Sequence, residues 1–340
     1  MSKIFYYFAP EIFVSIVSII AGCLIYIART GFDQNLELII ISVLVSFYII
    51  FFPKFIKIFI QPKNDKWYFS ESFLILVALA LAILGGYLNG LLDINLSYFF
   101  ALAGILQLCF VFTFSLKKTS IKKNLSFFIL ILLIFILFSI WVTSAYYSNF
   151  YLDPLMKEKI INGAKAHRDS MFHSSLAGMI KTYGVASTGL DGVDVPVYYH
   201  AFSHFVFGSL SALLNTSTMN FYALIFPIII IPFFFLSFIY CTISFHKIFI
   251  SKINSEHLIF NNLNYWIVLF ALFAIPINFY WFSETYAYLY SQSYTVAIAL
   301  SFILFSIVAT NFDFFIKKKL FVLNVSNLLF LIILLILFAS

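Results

Sequence analysis

Apolar runs of about twenty residues recur along this chain, and short lysine clusters sit in many of the gaps between them. An α-helix of that length crosses a hydrocarbon core of about 30 Å. The runs fall near 11–28, 37–53, 72–92, 96–116, 125–145, 218–242, 264–283, 292–312 and 320–338. In lipid each backbone N–H and C=O must be satisfied within its own segment, so helix is the economical conformation. The expected fold class is therefore all-α: a polytopic integral membrane protein of about nine transmembrane helices, with two further helices lying on the interface in one long loop. Only 10% of the 340 residues are charged. A soluble surface carries about 25%, so soluble domains are excluded.

Sidedness follows from the basic residues. With the N-terminus in the cytoplasm, the cytoplasmic gaps hold 14 lysines and the opposite side holds six basic residues, Arg29, Lys157, Lys159, Lys165, Arg168 and Lys181. Five of those six lie in one long loop, where the positive-inside bias counts least. The expected location is thus a multi-pass cytoplasmic membrane protein, N-terminus cytoplasmic, loop 146–217 extracytoplasmic. The stretch 201–214 then has to lie on the membrane or dip into it. The net charge of +6 is explained by these clusters, and no nucleic-acid partner is expected. Cys23, Cys109 and Cys241 show no CxxC spacing and read as thiols within apolar segments.

The long loop concentrates the chemistry. Residues 146–204 hold four of the six histidines, His167, His173, His200 and His204, and five of the fourteen acidic residues. From about Ala164 to Tyr183 the positions Phe172, Leu176, Met179, Ile180 and Tyr183 make a helical stripe, with Gly184 as its C-terminal cap. Asp169 and His173 stand at i and i+4, so they share a face. Gly189, Asp191-Gly192 and Pro196 interrupt regular structure. A second helix follows from about His200 to Leu214, its apolar side formed by Phe202, Phe205, Val206, Leu210 and Leu213, with His200 and His204 again at i and i+4. Two interfacial helices could bring Asp169, His173, His200 and His204 together.

Three chemistries suit that set. A carboxylate can take a proton from an acceptor while imidazoles bind or shuttle. A divalent metal can be held by Asp169, His200 and His204, although no HExxH motif is present. An anionic headgroup such as a lipid phosphate can be held by the histidines, Arg168 and Lys165. The plainer alternatives are solvated interfacial histidines and Asp169 as a helix N-cap.

The segment Arg168-Asp169-Ser-Met-Phe-His173, then Tyr183-Gly184, a glycine-broken stretch, and Tyr198-Tyr199-His200 leading into a second helix resembles the first outer loop of GT-C membrane glycosyltransferases. The resemblance spans about residues 125–312 and is specific only in the loop. It implies a core at 125–312 between N-terminal helices at 1–124 and a last helix at 313–340, which ends at Ser340 without a polar flank and so leaves a truncated chain open. It also implies that Asp169 is the catalytic carboxylate and that His173 and His200 stand near the acceptor or donor phosphate. Asp153 lies nearer the 125–145 span than Asp169 does. The implied donor is a polyprenyl-phosphate sugar, since soluble nucleotide sugars remain in the cytoplasm, and the acceptor is a glycan, lipid or protein. His204, Arg168 and Lys165 would join the phosphate site, and Asp191 and Glu284 would contact sugar or acceptor. A transporter, a polysaccharide polymerase or ligase, and a non-enzymatic assembly protein are the other readings.

Overall fold

A computed structural model describes residues 8–30, 36–60, 70–116, 168–184, 201–252 and 292–310. Every element there is helical, and no strand occurs among the described residues. In chain order these are α1 (Phe8–Thr30), α2 (Leu36–Ile60), α3 (Glu71–Leu92), α4 (Ser97–Leu116), α5 (Arg168–Tyr183), α6 (Ala201–Leu213), the single turn α7 (Thr218–Asn220), a π-helical turn (Phe221–Ile225), α8 (Phe226–Lys252) and α9 (Gln292–Thr310). Four helical runs among the described residues are long and apolar enough to cross a membrane: Leu36–Ile60, Glu71–Leu92, Ser97–Phe114 and Thr218–Cys241. The chain is a membrane protein. The expected spans at 125–145, 264–283 and 320–338 lie outside the described residues.

The run from Thr218 to Cys241 forms the centre. It is apolar around its whole circumference, as a helix enclosed by other helices must be, and α1, α2 and α9 pack against it, with α3 and α6 beside them. Pro227 can donate no backbone hydrogen bond, and its ring crowds the carbonyl four residues back. The π turn over Phe221–Ile225 directly precedes it and widens the helix where that crowding falls. At Gly22 of α1 a β-carbon would meet the Pro227 carbonyl oxygen at 2.6 Å, so only glycine lets α1 come this close to the central helix. α4 stands at the edge, packed mainly on α2, and leaves an apolar side uncovered.

Local signals explain the ends. Ser70 caps α3, its Oγ accepting from the Phe73 N–H at 3.3 Å, and Asp93 closes that helix in the left-handed region at φ 52°. α2 continues past the expected boundary at 53 to Ile60, with Pro53 inside it. Lys54, read from sequence as a loop residue, is therefore on the helix and buried, paired with Glu71 of α3 at 2.5 Å, and Lys57 approaches the same carboxylate at 3.4 Å.

The two loop helices differ from the expected surface-lying pair in one respect. α6 spans 13 residues, about 20 Å, which is too short to cross a core of about 30 Å. It does not, however, rest on a surface with a solvated side. Ser203, His204, Ser209 and Ser211 are buried along with Val206, Phe207 and Leu210. α3, α5, α9 and the π turn enclose it. Such burial of polar side chains is tolerable because they bond locally: Ser211 Oγ, for example, donates to the Gly208 carbonyl at 2.8 Å. α5 is closer to expectation. It buries Leu176, Ala177 and Ile180, half-buries Met179, and exposes Phe172 and Tyr183 at its ends.

Candidate functional site

α5 and α6 meet through a glycine. A β-carbon on Gly208 would stand 2.6 Å from the Ala177 carbonyl oxygen, so the backbones touch there. α5 stops where the sequence indicates: Gly184 takes φ +75°, and its N–H donates to the Ile180 carbonyl at 2.9 Å. That is a left-handed cap, which glycine adopts without steric cost.

One turn N-terminal to the Gly208 contact, the helices join through their histidines. His173 Nδ1 lies 2.8 Å from His204 Nε2, and the two rings stack at 24° with centroids 5.0 Å apart. His204 is only 1% exposed. A nitrogen pair at that distance shares one proton, with one ring donating and the other accepting. Two N–H groups cannot point at each other across 2.8 Å, so the pair carries at most one positive charge while the contact lasts. An ion bound by both nitrogens at about 2.0–2.1 Å in tetrahedral geometry would hold them further apart. Among the described residues, no three of His, Cys, Asp and Glu converge as a metal site.

Polar bonds fix the junction to the membrane helices. Thr218 Oγ1, at the start of the central helix, donates to the Ser174 carbonyl at 2.8 Å. Lys181 Nζ donates to the Thr216 carbonyl at 2.7 Å, and burial holds its amine below the ordinary lysine value of 10.5. Asn89 of α3 donates through Nδ2 to the Ala212 carbonyl at 2.6 Å and accepts from the Leu96 N–H at 2.8 Å. At Gly86 a β-carbon would overlap the Ser209 carbonyl, so α3 and α6 are in backbone contact. A small cavity of about 130 Å³ remains between α3, α5 and α6, with Tyr87, Lys181, Thr182, Tyr183 and Ser209 on its walls.

His173 and His204, two of the expected site residues, are thus brought into direct contact. Arg168 and Asp169 occupy the first turn of α5, with Asp169 one turn from His173 on the same face; their side chains are not among the described ones. Lys165, Asp191, His200 and Glu284 lie outside the described residues. Sequence reasoning missed Tyr222, whose buried hydroxyl has no hydrogen-bond partner and whose ring packs edge-on to Phe207 at 4.9 Å. It also missed a buried chain of hydroxyls: Ser306 of α9 bonds to Ser72 of α3, to Ser244 of α8 at 2.6 Å, and to the Tyr240 carbonyl at 3.1 Å. Serines inside apolar runs were the available signal for that chain.

No family model, no curated protein and no solved structure matches this chain.

Proposed function

We propose that this protein is a membrane glycosyltransferase of the GT-C kind, moving a sugar from a polyprenyl-phosphate donor to a glycan, lipid or protein acceptor on the extracytoplasmic face of the cytoplasmic membrane. The observation that carries the reading is the His173–His204 pair at 2.8 Å, one helical turn from Asp169 along α5. The side assignment rests on the lysine bias, 14 against 1 in the short loops, and on about nine spans with the N-terminus in the cytoplasm.

In such a transfer the acceptor oxygen attacks the anomeric carbon. The bond from that carbon to the phosphate oxygen breaks, and polyprenyl phosphate leaves with the electron pair. Asp169 takes the acceptor's proton as general base. With one N–H shared between the rings, the pair in its singly protonated, cationic form offers a positive charge and a remaining ring N–H to the departing phosphate, where low polarity strengthens both. His200, Arg168 and Lys165 serve the same phosphate, and Asp191 and Glu284 contact hydroxyls of sugar or acceptor.

The test is saturable binding of a polyprenyl-phosphate sugar by the purified full chain, compared with His204→Ala and Asp169→Ala. Expected are weaker binding in the histidine variant and intact binding without transfer in the aspartate variant. A chelator arm decides whether Asp169, His200 and His204 hold a divalent ion. No saturable binding by a well-folded wild type would return the chain to the transporter or assembly-protein readings.

A further inference from the structure

Apart from the histidine junction, α2 and α4 form a second feature that these functions do not use. The two helices touch at Gly104, where a β-carbon would stand 2.1 Å from the Leu44 carbonyl oxygen and 3.1 Å from the Tyr48 nitrogen. N-terminal to that contact a gap lies between them. Leu36, Ile40 and Leu44 line one wall of the gap, and Ala101, Leu102 and Ile105 line the other. The gap is open, holds about 500 Å³, and is almost wholly apolar. Its far end carries a single polar pair: the Tyr98 hydroxyl donates to the Glu37 carboxylate. Glu37 to Leu44 is seven residues, about 10 Å of helix axis.

We propose that this groove binds one acyl chain of an amine-bearing phospholipid, with the lipid's ammonium group on the Glu37 carboxylate. Lipid is the occupant that the setting supplies, because both walls belong to helices long and apolar enough to cross a membrane, and Leu36, Ile40, Leu102 and Ile105 are exposed along it. The headgroup is selected by charge. Glu37 is the one ionisable carboxyl, and no Lys, Arg or His stands beside it, among the described lining residues. An anionic headgroup is therefore repelled, and a trimethylated one cannot donate a hydrogen bond, whereas a primary ammonium can give a charge-assisted bond to a carboxylate oxygen. Tyr98 occupies one lone-pair direction of that carboxylate and fixes its orientation, leaving others for the lipid.

The experiment uses the full chain in nanodiscs containing a fixed fraction of phosphatidylethanolamine, phosphatidylcholine or phosphatidylglycerol with brominated acyl chains. A Trp at Leu102 (Leu102→Trp) reports the chain in the groove through bromine quenching. Expected is association of the ethanolamine lipid about threefold to tenfold above the choline lipid, the size of one partly exposed charge-assisted bond. That preference should fall to about one in Glu37→Gln and shrink in Tyr98→Phe, which keeps the carboxylate and removes its positioning partner. Equal quenching by ethanolamine and choline lipids at Leu102→Trp with Glu37 and Tyr98 intact, after subtracting the signal of the four native tryptophans, would mean unselective lipid contact only and would overturn the proposal. So would a preference that survives Glu37→Gln. Unchanged helical content and elution volume qualify each variant, and Tyr98→Phe provides the decisive comparison if Glu37→Gln does not fold.

Discussion

The α5–α6 junction makes a sharp demand at Gly208. Gly208→Ala should split the helices that hold the histidine pair, whereas Gly178→Ala, on the facing helix, should be tolerated. Both substitutions remove a helical glycine, and each gains about 1 kcal/mol of helix propensity. The surroundings differ. The new β-carbon at 208 would stand 2.6 Å from the Ala177 carbonyl oxygen and 3.3 Å from the Lys181 nitrogen, both backbone atoms that cannot rotate away. At 178 the nearest atom is Thr218 Oγ1 at 3.3 Å, the end of a side chain that can adjust. Overpacking against backbone costs about 1–3 kcal/mol. Separating the helices also loses the imidazole bond, worth about 1 kcal/mol net. Gly208→Ala should therefore be destabilised by about 1–3 kcal/mol after the propensity gain, and Gly178→Ala should stay within about 1 kcal/mol of wild type. Thermal unfolding of the detergent-solubilised proteins at one scan rate gives the order. A Gly208→Ala protein as stable as Gly178→Ala would refute the close approach of α5 and α6.

Three further predictions concern separate features. Glu71→Gln leaves Lys54, whose side chain is only 10% exposed, beside an uncharged partner, and should cost about 2–4 kcal/mol; a double-mutant cycle with Lys54→Met should recover much of it, and additive effects would speak against the pair. Lys181 titrates below its ordinary 10.5 in the folded chain because of burial, so the folded state releases that proton before the unfolded state does. Stability should therefore rise with pH between the two values, and Lys181→Met should flatten that rise in unfolding midpoints measured across the alkaline range; an unchanged slope would contradict the burial. Nitrogen NMR of histidine-labelled protein should show scalar coupling between two imidazoles in wild type and none in His204→Phe, and its absence in wild type would place the rings apart.

The expected spans match the described helices where apolar length alone decides, as in α3 and α4, whose ends agree with the sequence to within a residue or so. α2 ran further because its terminal lysines are held by Glu71, a partner 17 residues past Lys54 that periodicity does not see. Gly184 was legible because a left-handed cap is a local requirement of one residue. The histidine contact was legible in part: i, i+4 spacing marks a face, and two such faces invited a meeting, which His173 and His204 make. The enclosure of α6 was not. From sequence His204 reads equally well as a solvated interfacial residue, yet bonds within the protein satisfy it and Ser211 in the core. Gly86 and Gly208 were equally silent, because the carbonyl each one accommodates belongs to a different helix.

The central claim is that the α5–α6 junction serves sugar transfer from a lipid phosphate, and release of polyprenyl phosphate from a radiolabelled donor in proteoliposomes tests it most directly. The account predicts acceptor-dependent release by wild type, almost none by a folded Asp169→Asn protein, and a reduced rate in His204→Asn. Release by Asp169→Asn at the wild-type rate, or none by a well-folded wild type across candidate donors, would contradict it.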